Sequence, residues 1–105
     1  MRITYLPLAI TDLAEIRAYI ANHHPNLAQT VGNKLSVSLK GLAQFPNLGK
    51  PGRVFGTREL IIPNVGKSTY IVIYRVAGDN IQILRVLAGT RDIDAILEDG
   101  FGDDD

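Results

Sequence analysis

The sequence predicts an α+β domain in which a helical hairpin lies across a small antiparallel sheet. Three observations predict it. Apolar residues recur at helical spacing through residues 13–42, runs of β-branched residues with turn punctuation fill residues 58–88, and a Pro- and Gly-rich loop at 45–56 divides the two. With 105 residues, 46% of them hydrophobic, and a mean hydropathy of +0.08, the chain has material for one core and no room for a second domain.

Residues 2–6, RITYL, alternate and are rich in β-formers, which predicts a first strand. Pro7 suits the first helical position, where a backbone N–H would have had no partner. Leu13, Ile16 and Ile20 follow at helical spacing, and this helix is expected to stop before Pro25. After the HHPN break, Leu27, Val31, Leu35, Leu39 and Leu42 step by four, four, four and three, one apolar stripe of a second helix. Gly32 and Gly41 lower its propensity, and the short connection favours an antiparallel hairpin.

Three strands are predicted at RELIIP (58–63), TYIVIYRV (69–76) and NIQILRVLA (80–88), with turns at NVGKS and AGDN. The middle strand is nearly all apolar, as a strand covered on both faces would be. DIDAILED, residues 92–99, suits a short last helix. The order is then β-α-α-β-β-β, with the domain spanning residues 1–99 and residues 100–105 expected to be an acidic, disordered tail.

No apolar run reaches the ~18 residues of a membrane span. The N-terminus shows no secretory signal, and there are no cysteines for disulfides or Cys-ligated metal. These features suit a cytoplasmic protein with no membrane partner. The formal charge of zero conceals a division: residues 1–91 hold all 11 lysines and arginines against four acids, a net of +7. Residues 92–105 hold seven acids and no base. Such a basic body attracts nucleic acid or an acidic protein.

The cations themselves are the informative set. Lys50, Arg53, Arg58, Lys67, Arg75, Arg85 and Arg91 fall between residues 50 and 91, opposed only by Glu59 and Asp79. Simple alternation puts Arg85 on one face with Ile81, Ile83 and Leu87. Its guanidinium there needs a partner, either an internal carboxylate such as Glu59 or Asp92 or an external anion. Arg91 follows Gly89, where the backbone can turn sharply and aim the side chain outward. Lys50, Arg53, Arg58, Arg85 and Arg91 are therefore expected to rim a sheet face that takes phosphate or carboxylate.

Other motifs carry less. GKS at 66–68 has Ile61 where a phosphate loop needs glycine, and a strand follows where that loop needs a helix, so it reads as a hairpin turn. His23 and His24 are adjacent and diverge on a helix, which leaves no metal site expected. No histidine lies where a Ser–His–Asp arrangement would need one. Tyr70 and Tyr74, four apart on a strand, are expected to share a face and pack with bonded hydroxyls.

In order and residues the chain resembles the RelE/ParE superfamily of small bacterial toxins from type II toxin–antitoxin modules, over residues 3–92. The resemblance is carried by DLAEIRAYI, FPNLGKPGR, TRELIIP, YIVIYRV and IQILRVLAGTRD. It implies a toxin without cofactor or metal, held inactive by a cognate antitoxin that lays an amphipathic helix, and often a strand, over the hairpin and sheet. Leu27, Val31, Leu35 and Leu39 are the expected seat of that antitoxin.

RelE-like members cut mRNA in the ribosomal A site, whereas ParE-like members poison DNA gyrase. In the RelE pattern Arg91 matches the arginine after the last strand. The tyrosine or histidine of that pattern is missing from DAILEDGF, Ile71 stands in place of a second arginine, and Ala88 replaces the histidine of LHGxRD. Cleavage by a 2′-hydroxyl needs a base and an acid, and arginine, with its pKa above ~12, is a poor proton shuttle. The resemblance thus points first to a gyrase inhibitor with Arg85 and Arg91 at the functional edge and Lys50, Arg53 and Arg58 in support. A metal-independent ribonuclease acting on mRNA at the ribosome is the alternative, with Arg91, Arg85 and Arg58 as its candidate catalytic residues. A third reading is a binding module that only pairs with its antitoxin.

Overall fold

The computed structural model describes residues 1–102, apart from the side chain of Asn64. Strand β1 (Arg2–Tyr5) leads into helix α1 (Pro7–His23), and a 3-10 turn at Pro25–Leu27 joins it to α2 (Ala28–Gln44). Strands β2 (Lys50–Pro51), β3 (Arg58–Val65), β4 (Ser68–Ala77) and β5 (Asn80–Ala88) follow, then helix α3 (Ile93–Glu98). The strands form one sheet in the order β1-β5-β4-β3-β2.

The sheet is mixed, not antiparallel throughout. β3, β4 and β5 form an antiparallel meander, with β2 antiparallel on the outside of β3. β1 lies parallel to β5, from Arg2 opposite Asn80 to Tyr5 opposite Ile83. The helical hairpin together with β2, β3 and β4 forms the long connection between β1 and β5 that parallel pairing requires.

Pro7 occupies the first turn of α1, and the helix ends at His24, whose N–H bonds the Ile20 carbonyl at 2.8 Å just before Pro25. Val31, Leu35, Leu39 and Leu42 form the buried stripe of α2, as their spacing predicts. They pack with Val72, Tyr74, Ile81 and Ile83 on one side of the sheet. Ile73, Leu84 and Leu87 pack on the other side with Ile93 and Leu97 of α3. β4 is therefore covered on both faces. The GKS segment is the β3–β4 turn, with Gly66 at a φ of 63°.

Two expectations need correction. Phe101 is buried in the α3-side cluster, so the packed unit extends past residue 99 and residues 100–102 belong to it. The rest of the expected tail, residues 103–105, lies outside the described residues. The second correction concerns β5, which carries a bulge: Tyr74 opposes Ile83, but Ile73 opposes Arg85, leaving Leu84 as the extra residue. Simple alternation therefore fails. Ile81, Ile83 and Val86 belong to the hairpin-side core, whereas Leu84 and Leu87 belong to the other.

Candidate functional site

Arg85 is bound inside the fold. Its Nε donates to Asp12 Oδ2 and its second guanidinium nitrogen to Asp12 Oδ1, both at 2.8 Å. Asp12 Oδ2 also accepts the Val86 N–H at 3.0 Å. β1 pairs with β5 only as far as Ile83, so Asp12 of α1 supplies the acceptor that a longer β1 would have offered. The carboxylate raises the Arg85 pKa further and holds its charge. An internal partner for Arg85 was one of the two sequence readings, but that partner is neither Glu59 nor Asp92.

Arg53 is engaged as firmly. Its backbone N–H and Nε both donate to Glu59 Oε2, at 2.8 and 2.9 Å, and its Nη2 to Oε1 at 3.0 Å. Nη1 reaches Asp94 at 3.1 Å and so ties the loop before β3 to α3. Glu59 is buried, and the Arg53 guanidinium holds its carboxyl below the usual range, against the upward push of burial. Arg58 donates to the Gly49 carbonyl at 2.8 Å and the Asn47 carbonyl at 3.3 Å, which pins the incoming loop. Lys50, paired in register with Glu59, is exposed. The five cations predicted to rim one face therefore do not form an open anion site: Arg53, Arg58 and Arg85 satisfy internal oxygens.

Arg91 differs. The turn that carries it is fixed by Gly89 N–H to Thr69 O at 2.8 Å and Arg91 N–H to Ala88 O at 3.1 Å. Its side chain is exposed and has no ion-pair partner among the described residues. It lines a hollow of about 380 Å³ together with Asp12, Glu15, Tyr19, Tyr70 and Thr90. Tyr19 stacks on His23 with ring centroids 4.1 Å apart. Among the described residues, no group of three or more His, Asp or Glu side chains is placed to hold a metal ion. Nor is any helix long and apolar enough to cross a membrane.

The apolar stripe is largely buried, and Val31, Leu35 and Leu39 line a cavity of about 200 Å³ with Leu13, Ile16 and Ile20 of α1. Val31, Leu35 and Leu39 are only 3, 6 and 4% exposed, and Leu27 is half-buried against the same core. Exposed apolar side chains lie elsewhere: Val37, Leu48 and Ile61 border a shallow groove with Gly41, Leu60 and Pro63. β2 covers β3 only at Arg58 and Glu59, so among the described residues the outer edge of β3 from Leu60 onward has no strand partner. Sequence reasoning missed this surface because it followed the buried stripe. The available signals were Val37, an apolar residue outside that stripe, and Pro63, a residue compatible with an edge strand.

Residues 3–93 match the family described as the ParE toxin of the type II toxin–antitoxin system parDE. Among curated relatives, the protein Y4kP of Sinorhizobium fredii is 36% identical over 86 residues, covering 82% of this chain and 85% of that one. Toxin RelE1 of Caulobacter vibrioides is 30% identical over 80 residues, covering 74% and 82% respectively. Among solved structures, a chain of the chromosomal ParDE toxin–antitoxin system from P. aeruginosa superposes with a TM-score of 0.71 at 27% identity. The match covers 84% of this chain and 95% of that one.

Proposed function

The chain belongs to the ParE toxin family of type II toxin–antitoxin systems, and on that premise we propose that it arrests growth by binding DNA gyrase in the cytoplasm and is silenced by a cognate antitoxin. The choice of target rests on one observation. Arg53, Arg58 and Arg85 already satisfy Glu59, two loop carbonyls and Asp12. A ribonuclease of the RelE type would ask such groups to hold a crowded phosphate beside a base and an acid. The outward cations, Arg91 and Lys50, act electrostatically on the target surface.

The antitoxin is proposed to add an extended segment along the free edge of β3. Its apolar side chains would seat against Val37, Leu48 and Ile61, and acidic residues would answer the basic body. This moves the expected seat from the buried stripe of α2 to its outer border.

A ribonuclease reading keeps one specific support. The hollow beside Arg91 holds Glu15 and Tyr70, a carboxylate and a phenol in reach of one cavity. Two assays separate the readings. Purified protein added to gyrase should block supercoiling and trap cleaved DNA, and added to a translating extract it should leave mRNA whole. Codon-phased cuts with gyrase unaffected would reverse the assignment. Silence in both, with no growth arrest on induction, would leave only the antitoxin-binding module.

A further inference from the structure

The turn between β2 and β3 displays an aromatic ring wholly in water on a backbone that is tied down on both sides. Phe55 is 101% exposed, more than any other large apolar residue among the described residues. Its neighbours are all engaged. Gly52 N–H bonds Thr57 O at 2.8 Å, and Thr57 returns both its N–H, at 3.1 Å, and its hydroxyl, at 2.6 Å, to the Val54 carbonyl. Thr57 is buried, and Gly52 is the residue that fits against it, since a Cβ there would collide with the Thr57 hydroxyl. Arg53 is clamped by Glu59 and Asp94, and Val54 packs on the α3-side core. Gly56, at a φ of 83°, turns the chain directly after the ring.

A single exposed apolar side chain is ordinary on a protein surface. What sets Phe55 apart is the fixed turn beneath it. Burying an aromatic side chain on a partner is most effective when the loop carrying it is already ordered, because little conformational freedom is then lost on association. The surrounding charge narrows the partner. Arg53, the one charged residue within residues 52–57, is already matched by Glu59 and Asp94. A turn whose one cation is already satisfied internally offers little to a polyphosphate backbone and suits an apolar pocket on a protein.

We propose that Phe55 is the residue by which the β2–β3 turn inserts into an apolar pocket of the toxin's protein target, an inference that rests on the protein-target reading above. Antitoxin capture is assigned to the other end of β3, around Ile61 and Pro63, so the two contacts are separable by mutation.

The experiment compares wild type, Phe55→Ala and Phe55→Trp, each purified and each induced in cells. Being wholly exposed, position 55 should tolerate both changes with an unaltered melting temperature. Phe55→Ala is expected to lose growth arrest and to bind gyrase at least tenfold more weakly, with antitoxin affinity within twofold of wild type. Phe55→Trp should retain both activities. Full growth arrest by Phe55→Ala would overturn the proposal, as would a loss confined to antitoxin binding. If wild type leaves gyrase untouched, the gyrase reading fails on its own. The growth assay then decides the role of Phe55, since loss of arrest with antitoxin binding intact still marks a target contact. If instead wild type cuts mRNA and Phe55→Ala does not, the ring serves an RNA contact and the protein-pocket proposal falls.

Discussion

Asp12 on α1 and Arg85 on β5, 73 positions apart in sequence, meet through two hydrogen bonds of 2.8 Å that join the helical hairpin to the sheet. The same carboxylate caps the Val86 N–H where β1 has run out. One side chain therefore fastens helix to strand and closes a sheet edge.

Removing Asp12 leaves a largely buried guanidinium and a buried N–H without acceptors. Asp12→Ala should cost about 3–5 kcal/mol, the range for breaking a buried pair on one side. Urea denaturation measures it. An Arg85→Ala variant should also lose stability, because Asp12 is then left buried and short of donors. If Arg85→Ala kept full stability while losing toxicity, Arg85 would return to the functional edge.

Glu59 gives the fold an acid-sensitive element. Hydrogen bonding from Arg53 lowers its pKa in the native state, so on acidification the unfolded chain takes up the proton first. Its contribution is complete above the ordinary carboxylate value of about 4.3 and is lost as pH falls through the lower native value. The urea midpoint of wild type should therefore drop below about pH 4.3, the ordinary Glu value. In Glu59→Gln it should start lower at neutral pH and fall less steeply on acidification. Parallel slopes for the two proteins would remove Glu59 as the cause.

Most of the architecture was legible because it follows from periodicity. The four-residue stripe of α2, the proline at the start of α1 and the apolar run of β4 each have one physical reading, and the structure follows them. The parallel placement of β1 was not legible, since nothing in RITYL distinguishes a parallel from an antiparallel neighbour. The fate of the cations depended on contacts distant in sequence. Asp12 of α1 meets Arg85 of β5, and a one-residue bulge at Leu84 breaks the alternation by which a face was assigned to Arg85. Asp94 looked like part of an acidic end and instead completes the Arg53 clamp.

Gly49 and Tyr74 test the packing behind that clamp. The Tyr74 hydroxyl accepts the Gly49 N–H and donates to the Pro46 carbonyl, each at 2.8 Å. A Cβ at position 49 would stand 2.8 Å from both the Glu59 carbonyl oxygen and the Tyr74 ring. Because one of those atoms is backbone, Gly49→Ala should cost about 1–3 kcal/mol as an overpacked site. Tyr74→Phe keeps the ring but strips the loop of both bonds, at about 1–3 kcal/mol. Thermal melts that match wild type for both variants would contradict this account.

Arg91 is the cation from the predicted set whose removal should touch function and spare the fold. It is exposed and makes no ion pair among the described residues, so Arg91→Ala should change stability by no more than roughly 0.5 kcal/mol. Growth arrest after induction should weaken, with gyrase inhibition falling in parallel. Undiminished arrest would take Arg91 out of the target surface and leave Lys50 and the β2–β3 turn to carry it.

The antitoxin prediction depends on distinguishing two kinds of apolar residue on one helix. Leu35 and Val37 lie two positions apart on α2, yet Leu35 is 6% exposed and Val37 71%. Leu35→Ala should therefore act through the core, costing about 2–5 kcal/mol of stability. Val37→Glu should leave stability near wild type and place a carboxylate in the groove beside Ile61. If the antitoxin adds a strand to β3 and packs on this border, Val37→Glu should weaken its binding at least tenfold, about 1.4 kcal/mol. Ile61→Lys should do the same from the facing strand. Isothermal titration with the cognate antitoxin reads both, and a growth assay should show arrest that co-expressed antitoxin no longer relieves. Wild-type affinity in both variants would mean that the antitoxin seats elsewhere, and the free edge of β3 would lose its assigned partner.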